Sequence, residues 1–444
     1  MSFQVGKSTE FRINELAIVT KAGPIDISAI YEEINIFDTI FSPVMSGKIL
    51  IIDALGLSKR LLFDGSEVIL IHFKKTEDSE DNLIKKAFRI YKQSNRTNVT
   101  PQSESYILHF VSDELLFSEQ IRVNQYYEDT YSKIALKILE NYLHVPDNRL
   151  KGFYTPSYGL KKVVVPNLKP IDAIQWCCKR ATDNLQSPNF LFFENRKGFN
   201  FTSLSNLLIN EPILNVRYQT KNLNAETSIK ELEGARYFEV IAQTNFLERT
   251  KSGVNAGKFI GFDPITKSIK ETNFSYGSHY SKMKHANKEP NFSEIQNRDG
   301  SKNSNTFDSR KSLSLFTSQR KNSKYIESHD KSSLTTDENQ VDFLFQRKAI
   351  IENLISKKLK IVMPGNFYLT SGYNVNVDVP YLGAKSSDVE NKDVSITGNY
   401  LIIASRHIIG FEKFETVIET ATTSNDLDYI PSSSYQEMQQ IEDY

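Results

Sequence analysis

From Phe11 to about Glu119 the chain alternates short apolar runs with turn formers. INELAIV, IYEEINIF, SGKILIIDA, SEVILIHFKK, AFRIYKQSN and SYILHFV are rich in β-branched and aromatic residues, and AGP, FSP, DGS and NVTP part them. Such regular strand spacing, with no long helix between, predicts an antiparallel barrel or sandwich rather than a parallel α/β sheet.

The period then changes. In DTYSKIALKILENYLHVPD, Ile134, Ile138, Leu139, Tyr142 and Leu143 recur at helical spacing, Asp129 or Thr130 can cap the start, and Pro146 follows the end. NLKPIDAIQWCCKRATDN predicts a second helix that starts at Pro170, with Ile171, Ile174, Cys178 and Ala181 on one side. FLFFENRKGFNFTSL reads as a hairpin turning around 195–198. Strands return with KELEGARYFEVIAQT, and again after Lys358 with LKIVMPGNFYLTSGYNVNVDVP and GNYLIIASRHIIGFEKFETVIETA. The stretch 281–340 between them is rich in Ser, Asn and Lys with almost no Ile or Val, which predicts an extended or partly disordered insertion. A helix, DFLFQRKAIIENLISKK, leads out of it with Phe343, Ile350, Ile351 and Leu354 on one stripe.

These elements predict a mainly-β chain with an α+β part: two antiparallel β-barrel domains and a small α+β domain. The first barrel is set at 1–119, the α+β domain at 120–215 and a discontinuous second barrel at 216–250 and 341–424. The polar insertion is set at 251–340 and a flexible tail at 425–444. A faint echo links the barrels, since Gly65-Ser-Glu-Val-Ile-Leu-Ile and Gly372-Tyr-Asn-Val-Asn-Val-Asp-Val each place a glycine turn before a strand. Duplication and coincidence both account for it.

Composition narrows the function. A chain of 444 residues has room for about three domains. Lys+Arg and Asp+Glu both number 54, so the chain is not built to coat DNA or an anionic membrane by charge alone. The two cysteines, Cys177 and Cys178, are adjacent and can neither staple distant segments nor supply zinc spacing. The start, MSFQVGKSTEFRINE, has no apolar core of a signal peptide, and no run approaches the roughly 18 apolar residues of a membrane helix. Stable membrane binding is not expected.

Motifs for chemistry are sparse. Gly6-Lys7-Ser8 has no strand before it, and Gly253-Val-Asn-Ala-Gly257-Lys258 is one residue short of a phosphate loop and runs into Phe259, so a turn or flexible start is expected at both. The seven histidines form no HxH, HxxxH or HExxH pair, and Asn297-Arg-Asp-Gly-Ser lacks a calcium loop's spaced oxygens. His407 alternates with apolar neighbours in a strand and reads as a packed or rim histidine rather than a base. Glu32 and Glu33 suit a solvated face or an interface, and Trp176 suits a helix packed into a core. No catalytic, cofactor or metal site is therefore expected. With aromatic residues at 11%, the β segments suit large contact surfaces.

Several stretches together resemble the baseplate hub proteins of contractile-tailed phages, which are also similar to the N-terminal part of VgrG spikes. IYEEINIFDTIFSPVMSGKILIID (30–53) carries Phe37, Phe41, the Ser42-Pro43 turn, and Gly47 before a strand ending at Asp53. The helix at 130–143, the KPIDAIQWCCKRA helix, the FLFFENRKGFNFTSL hairpin, the QRKAIIENLISKKLKIVMPGNFYLTSG transition and the final ribbon follow in that family's order. The resemblance covers roughly 11–424 apart from the insertion and is carried by order rather than by any single motif.

It implies a non-catalytic virion protein, assembled in the host cytoplasm, whose two related barrels form a homotrimeric pseudo-sixfold ring. Such a ring joins a hexameric tail tube protein to a trimeric central spike protein and leaves a channel for tape measure protein and DNA in transit. Baseplate wedge proteins are further partners. Phe37, Phe41, Pro43, Gly47, Gly65, Gly372 and His407 are then structural or interface positions. Since no spike-like or lysozyme segment follows 424, the tip is expected on a separate polypeptide. A tail-borne cell-wall hydrolase and a receptor-binding tail protein are the alternatives.

Overall fold

The computed structural model describes residues 11–425 except 61–62, 76–81, 151, 185–186, 219–233, 243–246, 248–255, 264–266, 277–279, 281–283, 288, 291–312, 319–338, 380–392, 394 and 412. The motifs at 6–8 and 297–301 and the tail after 425 lie outside the described residues.

The first β region contains β1 (Phe11–Thr20), β2 (Gly23–Asp26), β3 (Tyr31–Thr39), β4 (Ser46–Asp53), the short α1 (Leu57–Arg60), β5 (Val68–Lys75), β6 (Leu83–Thr100) and β7 (Ser103–Val111). The α+β part follows with α2 (Asp113–Gln120), β8 (Tyr126–Asp129), α3 (Tyr131–Leu143), β9 (Lys161–Val164), α4 (Pro170–Arg180), β10 (Phe190–Asn195), β11 (Gly198–Ser203) and α5 (Leu204–Leu208). The remainder is β12 (Pro212–Arg217), β13 (Tyr237–Ala242), β14 (Ala256–Asp263), β15 (Ser268–Ser275), β16 (Glu289–Pro290), β17 (Leu313–Ser318), α6 (Asn339–Ser356), β18 (Lys358–Pro364), β19 (Asn374–Asp378), β20 (Gly398–Gly410), β21 (Phe414–Ala421) and β22 (Ser424–Asn425).

The fold is mainly β, as expected, but the strands of the two β regions do not close into separate barrels. They form one 13-stranded sheet, because β3 pairs on one side with β4 and on the other with β20. The antiparallel β20–β3 ladder runs from Ala404 opposite Thr39 to Gly410 opposite Glu33.

On either side of this joint the strand order repeats. The first half runs β3-β4-β7-β6-β5-β1 and the second β13-β18-β21-β20-β19-β12. Register repeats as well: Lys48 faces His109 and Asn35, while Lys360 faces Glu419 and Glu239. Each half bulges where its long strand meets the next, between Ile90 and Lys92 in β6 and between Ile402 and Ala404 in β20. One difference stands out, since β12 runs parallel to β19 whereas β1 runs antiparallel to β5.

Packing follows the same plan. One core gathers the inward residues of β1 and β3–β7, such as Ile34, Ile36, Phe73, Phe88 and Phe110, and adds Phe367, Ile409 and Phe414 from the second half. Another gathers Leu359, Ile361, Val375, Val377, Tyr400 and Ile418. The α+β part has its own core, where α3 and α4 bury their apolar stripes against β10 and β11. Thr130 caps α3 by accepting from the Lys133 backbone N–H, and Pro170 sits at the start of α4.

The long excursion 243–357 lies between β13 and β18, where the first half has only the turn 40–45 between β3 and β4. Part of it, within the stretch 251–340 set apart as a polar insertion, is folded. β14 pairs antiparallel with β15 and parallel with β17, and Phe274 and Tyr276 pack with Phe345, Ala349 and Ile350 of α6. Of the stretch 253–258, where a turn or flexible start was expected, 253–255 lie outside the described residues and Gly257 and Lys258 lie within β14. Phe274 and Tyr276 lie before the Ser/Asn/Lys-rich stretch 281–340, most of which is outside the described residues.

Candidate assembly interface

The β20–β3 joint is held by polar groups as well as by its ladder. Asp38, fully buried, accepts from the Ser371 backbone N–H at 2.7 Å and from the Thr370 and Ser405 hydroxyls, each at 2.8 Å. Burial pushes its carboxyl above the usual range, against these hydrogen bonds. On the sheet's other face Arg406 donates from Nε to Asn35 Oδ1 at 2.6 Å and lies over the Phe37 ring, 5.8 Å from its centroid.

The β10–β11 hairpin wedges the α+β part against both halves. Its Glu194 accepts from the Met45 backbone N–H at 3.0 Å and from the Ser112 hydroxyl, and forms ion pairs with Lys86 of β6 and with Arg149. Burial alone would raise this carboxyl, but the two cations hold it below its ordinary value. Arg149 also pairs with Glu114 of α2. One residue further on, Asn195 donates to the Ser371 carbonyl at 2.9 Å, and the Arg196 N–H reaches Thr370 Oγ1. A single turn therefore touches the first half through Glu194 and the second through its two neighbours.

The positions singled out from sequence are dispersed around this joint. Phe37 lies at it, half-buried beneath Arg406, while Phe41 is 49% exposed in the turn that follows, beside Pro43. Gly47 is buried where a Cβ would overlap the Phe110 ring and the Asn35 carbonyl. Gly65 and Gly372 take φ of +90° and +89°, the left-handed region that favours glycine, each just before the corresponding strands β5 and β19. His407 is buried in β20 with Nδ1 3.0 Å from Thr416 Oγ1 and its ring beside Phe367 and Phe414. Burial, with Arg196 adding to it, pushes the imidazole down to about 3. Asp38, Glu194, Arg149 and Arg406 were not singled out, because no local pattern marks partners so far apart in the chain.

A cavity of about 430 Å³ lies between β5, β6, α2 and the end of α3, lined in part by Phe88, Phe117 and Leu143. Three charged residues on its wall are engaged: Asp113 with Arg89, Glu114 with Arg149, and Arg149 also with Glu194. Among the described residues no group of three or more His, Cys, Asp or Glu is placed to hold a metal ion. The chemistry concentrated here is that of fastening segments together.

No protein-family model matches the sequence, and no curated protein sequence matches it. Its structural neighbours are phage tail proteins and VgrG assemblies. A tail protein from Neisseria meningitidis MC58 is 9% identical, with TM-score 0.49, covering 92% of this chain and 96% of that one. The 43 kDa tail protein of prophage MuSo2 from Shewanella oneidensis has the same identity and TM-score, covering 92% and 97%. A chain of the lidded Francisella PdpA-VgrG complex is 10% identical, with TM-score 0.43, over 95% of this chain and 53% of that one.

Proposed function

We propose that this protein is a structural baseplate hub. Three copies form a ring of six related halves that joins a hexameric tail tube to a trimeric central spike, with a channel for tape measure protein and DNA. The observation that carries this reading is the repeated strand order joined edge to edge within one chain. A sixfold surface and a threefold surface can be matched by one protein only if each chain offers two similar faces, and a chain with two such halves does so. The resemblance of 30–53 and of the element order to hub proteins supports the same reading. The protein acts by geometry and hydrogen bonding and has no catalytic role; the domain limits at 119, 215 and 250 and the peripheral position of the insertion belong to this proposal.

The test is the native mass of the purified chain over a wide concentration range, followed by electron microscopy. The expected result is three times the 50.8 kDa chain and a ring with a central hole. A species that remains monomeric, alone and with added spike protein, overturns the reading. Release of peptidoglycan fragments or binding to host cells by the isolated chain would turn it towards the hydrolase or receptor-binding alternative.

A further inference from the structure

The repeated strand order places one lysine at the same position on the outer face of each half, but in different company. In the second half Lys360 faces Glu239 on one side and Glu419 on the other, so acids flank its charge. In the first half Lys48 takes that place between Asn35 and His109, and beyond His109 comes Lys92. Lys48 and His109 alternate with the buried Ile49, Leu108 and Phe110, which sets them on the outside of the sheet. Neither Lys48 nor Lys92 has an ion-pair partner among the described residues. Between them, His109 has its Nε2 2.8 Å from Ser94 Oγ, and burial together with the two lysines holds its imidazole below the ordinary value. At the other end Arg406 donates to Asn35, and Glu33 is engaged by both Asn35 and Arg406. A row of cations therefore runs from β6 over β7 and β4 to the joint, about 15 Å in all. Like charges directly opposite one another across strands cost stability, and a counter-charge laid over them relieves it. Beside the row Leu50 faces Ile107, both half-buried, and the exposed Tyr91 ring lies 6.1 Å from His109.

We propose that the last residues of the chain, 426–444, dock on this row in the same chain, with their carboxylates against Lys48, His109 and Lys92. The proposal goes beyond the hub reading and does not depend on it. Charge is complementary, for the segment carries Asp426, Asp428, Glu437, Glu442 and Asp443 and no Lys or Arg. Its Leu427, Tyr429, Ile430, Tyr435, Met438 and Ile441 suit the apolar positions beside the row. Reach is ample as well. The described chain ends at Asn425, just past β21, and the row crosses β21 at Glu415, which faces Ile408, Asn35, Lys48 and His109 in turn across the sheet. Six residues along β21 and four strand spacings make a path of about 30 Å, against about 60 Å for the 19 residues in extended form. The second half offers no equivalent seat, since Glu239 and Glu419 flank Lys360 there and would repel the same carboxylates.

The test places a nitroxide label on Ser433→Cys in the full chain; Cys177 and Cys178 are buried and do not compete for it. At low salt the electron paramagnetic resonance spectrum should show an immobilised label. Reversing the row with Lys48→Glu and Lys92→Glu should release it, and so should reversing the tail with Glu437→Lys, Glu442→Lys and Asp443→Lys, which keeps the test valid if the row variant does not fold. The two sets combined exchange the charges and should immobilise the label again, whereas Lys360→Gln should leave the spectrum unchanged. A label that is mobile in the parent chain, or that stays immobile after either reversal, overturns the proposal. Immobilisation that is lost on dilution assigns the tail to a neighbouring copy and overturns docking within the chain. Binding of a fluorescein-labelled oligothymidylate that requires Lys48 and Lys92, with the label mobile throughout, overturns it in favour of nucleic acid.

Discussion

Asp38 on β3 and Ser405 on β20 are 367 residues apart in the chain and 2.8 Å apart across the joint, with the Ser405 hydroxyl donating to the buried carboxylate. The first expectation concerns this pair. Because burial raises the Asp38 carboxyl above its unfolded value of about 3.9, the folded state holds the proton more tightly. That contribution is complete below the unfolded value and is lost as pH rises through the folded one. Asp38→Asn should therefore flatten the decline in stability above about pH 4 and cost less than Asp38→Ala, which leaves three donors unmet and should cost about 1–3 kcal/mol. Denaturant titrations at pH 5 and pH 8 check both points.

Glu194 has the opposite sign. Its carboxyl is depressed by Lys86 and Arg149, so its stabilisation is present above the unfolded value of about 4.3 and is lost as pH falls through the folded one. Glu194→Gln leaves the buried Lys86 without its carboxylate partner and Arg149 with Glu114 alone, and should cost about 3–5 kcal/mol at neutral pH. Adding Lys86→Met should restore part of the loss. A double-mutant cycle by urea unfolding measures that coupling, and strictly additive losses would contradict it.

Gly47 leaves no room for a methyl group between Phe110 and the Asn35 carbonyl. Gly47→Ala should destabilise by about 1–3 kcal/mol through overpacking. Pairing it with Phe110→Leu, which vacates part of the ring's space, should recover some of the melting temperature. A Gly47→Ala variant that melts with the parent protein would count against this close approach.

His407 should stay neutral through mildly acid conditions. With its folded value near 3 and an unfolded value near 6.5, the stabilisation it contributes is present above about pH 6.5 and declines as pH falls towards the folded value. Its imidazole carbon-13 shift should not move between pH 7 and pH 5, and His407→Leu should make stability less sensitive to pH across that interval. A ring that titrates near pH 6 would place it in contact with solvent.

Much of this fold could be read in the chain because its information is local. α3 and α4 have apolar residues on one stripe and a cap or proline at the start, and β10–β11 has aromatic runs around a short polar turn. By contrast α2 was read into the run of strands, since Leu115, Leu116 and Phe117 are consecutive and mark no helical face. The joint itself was illegible. Register between β3 and β20 depends on partners more than 360 residues away, and nothing in either strand announces the other. The glycine echo was the one visible trace of the repeated order, and Gly65 and Gly372 share their φ to within a degree.

The β20–β3 pairing also sets an order of events on the ribosome. At roughly 5–20 residues per second, the time between the emergence of Asp38 and of Ser405 is on the order of 20–70 s. Throughout that interval one edge of β3 is without its ladder and the first core lacks Phe367, Ile409 and Phe414. The nascent chain must pass this period with an open strand edge in a crowded cell, so its solubility during synthesis is set by its last hundred residues. Truncated forms are therefore expected to aggregate rather than to persist as a folded first half.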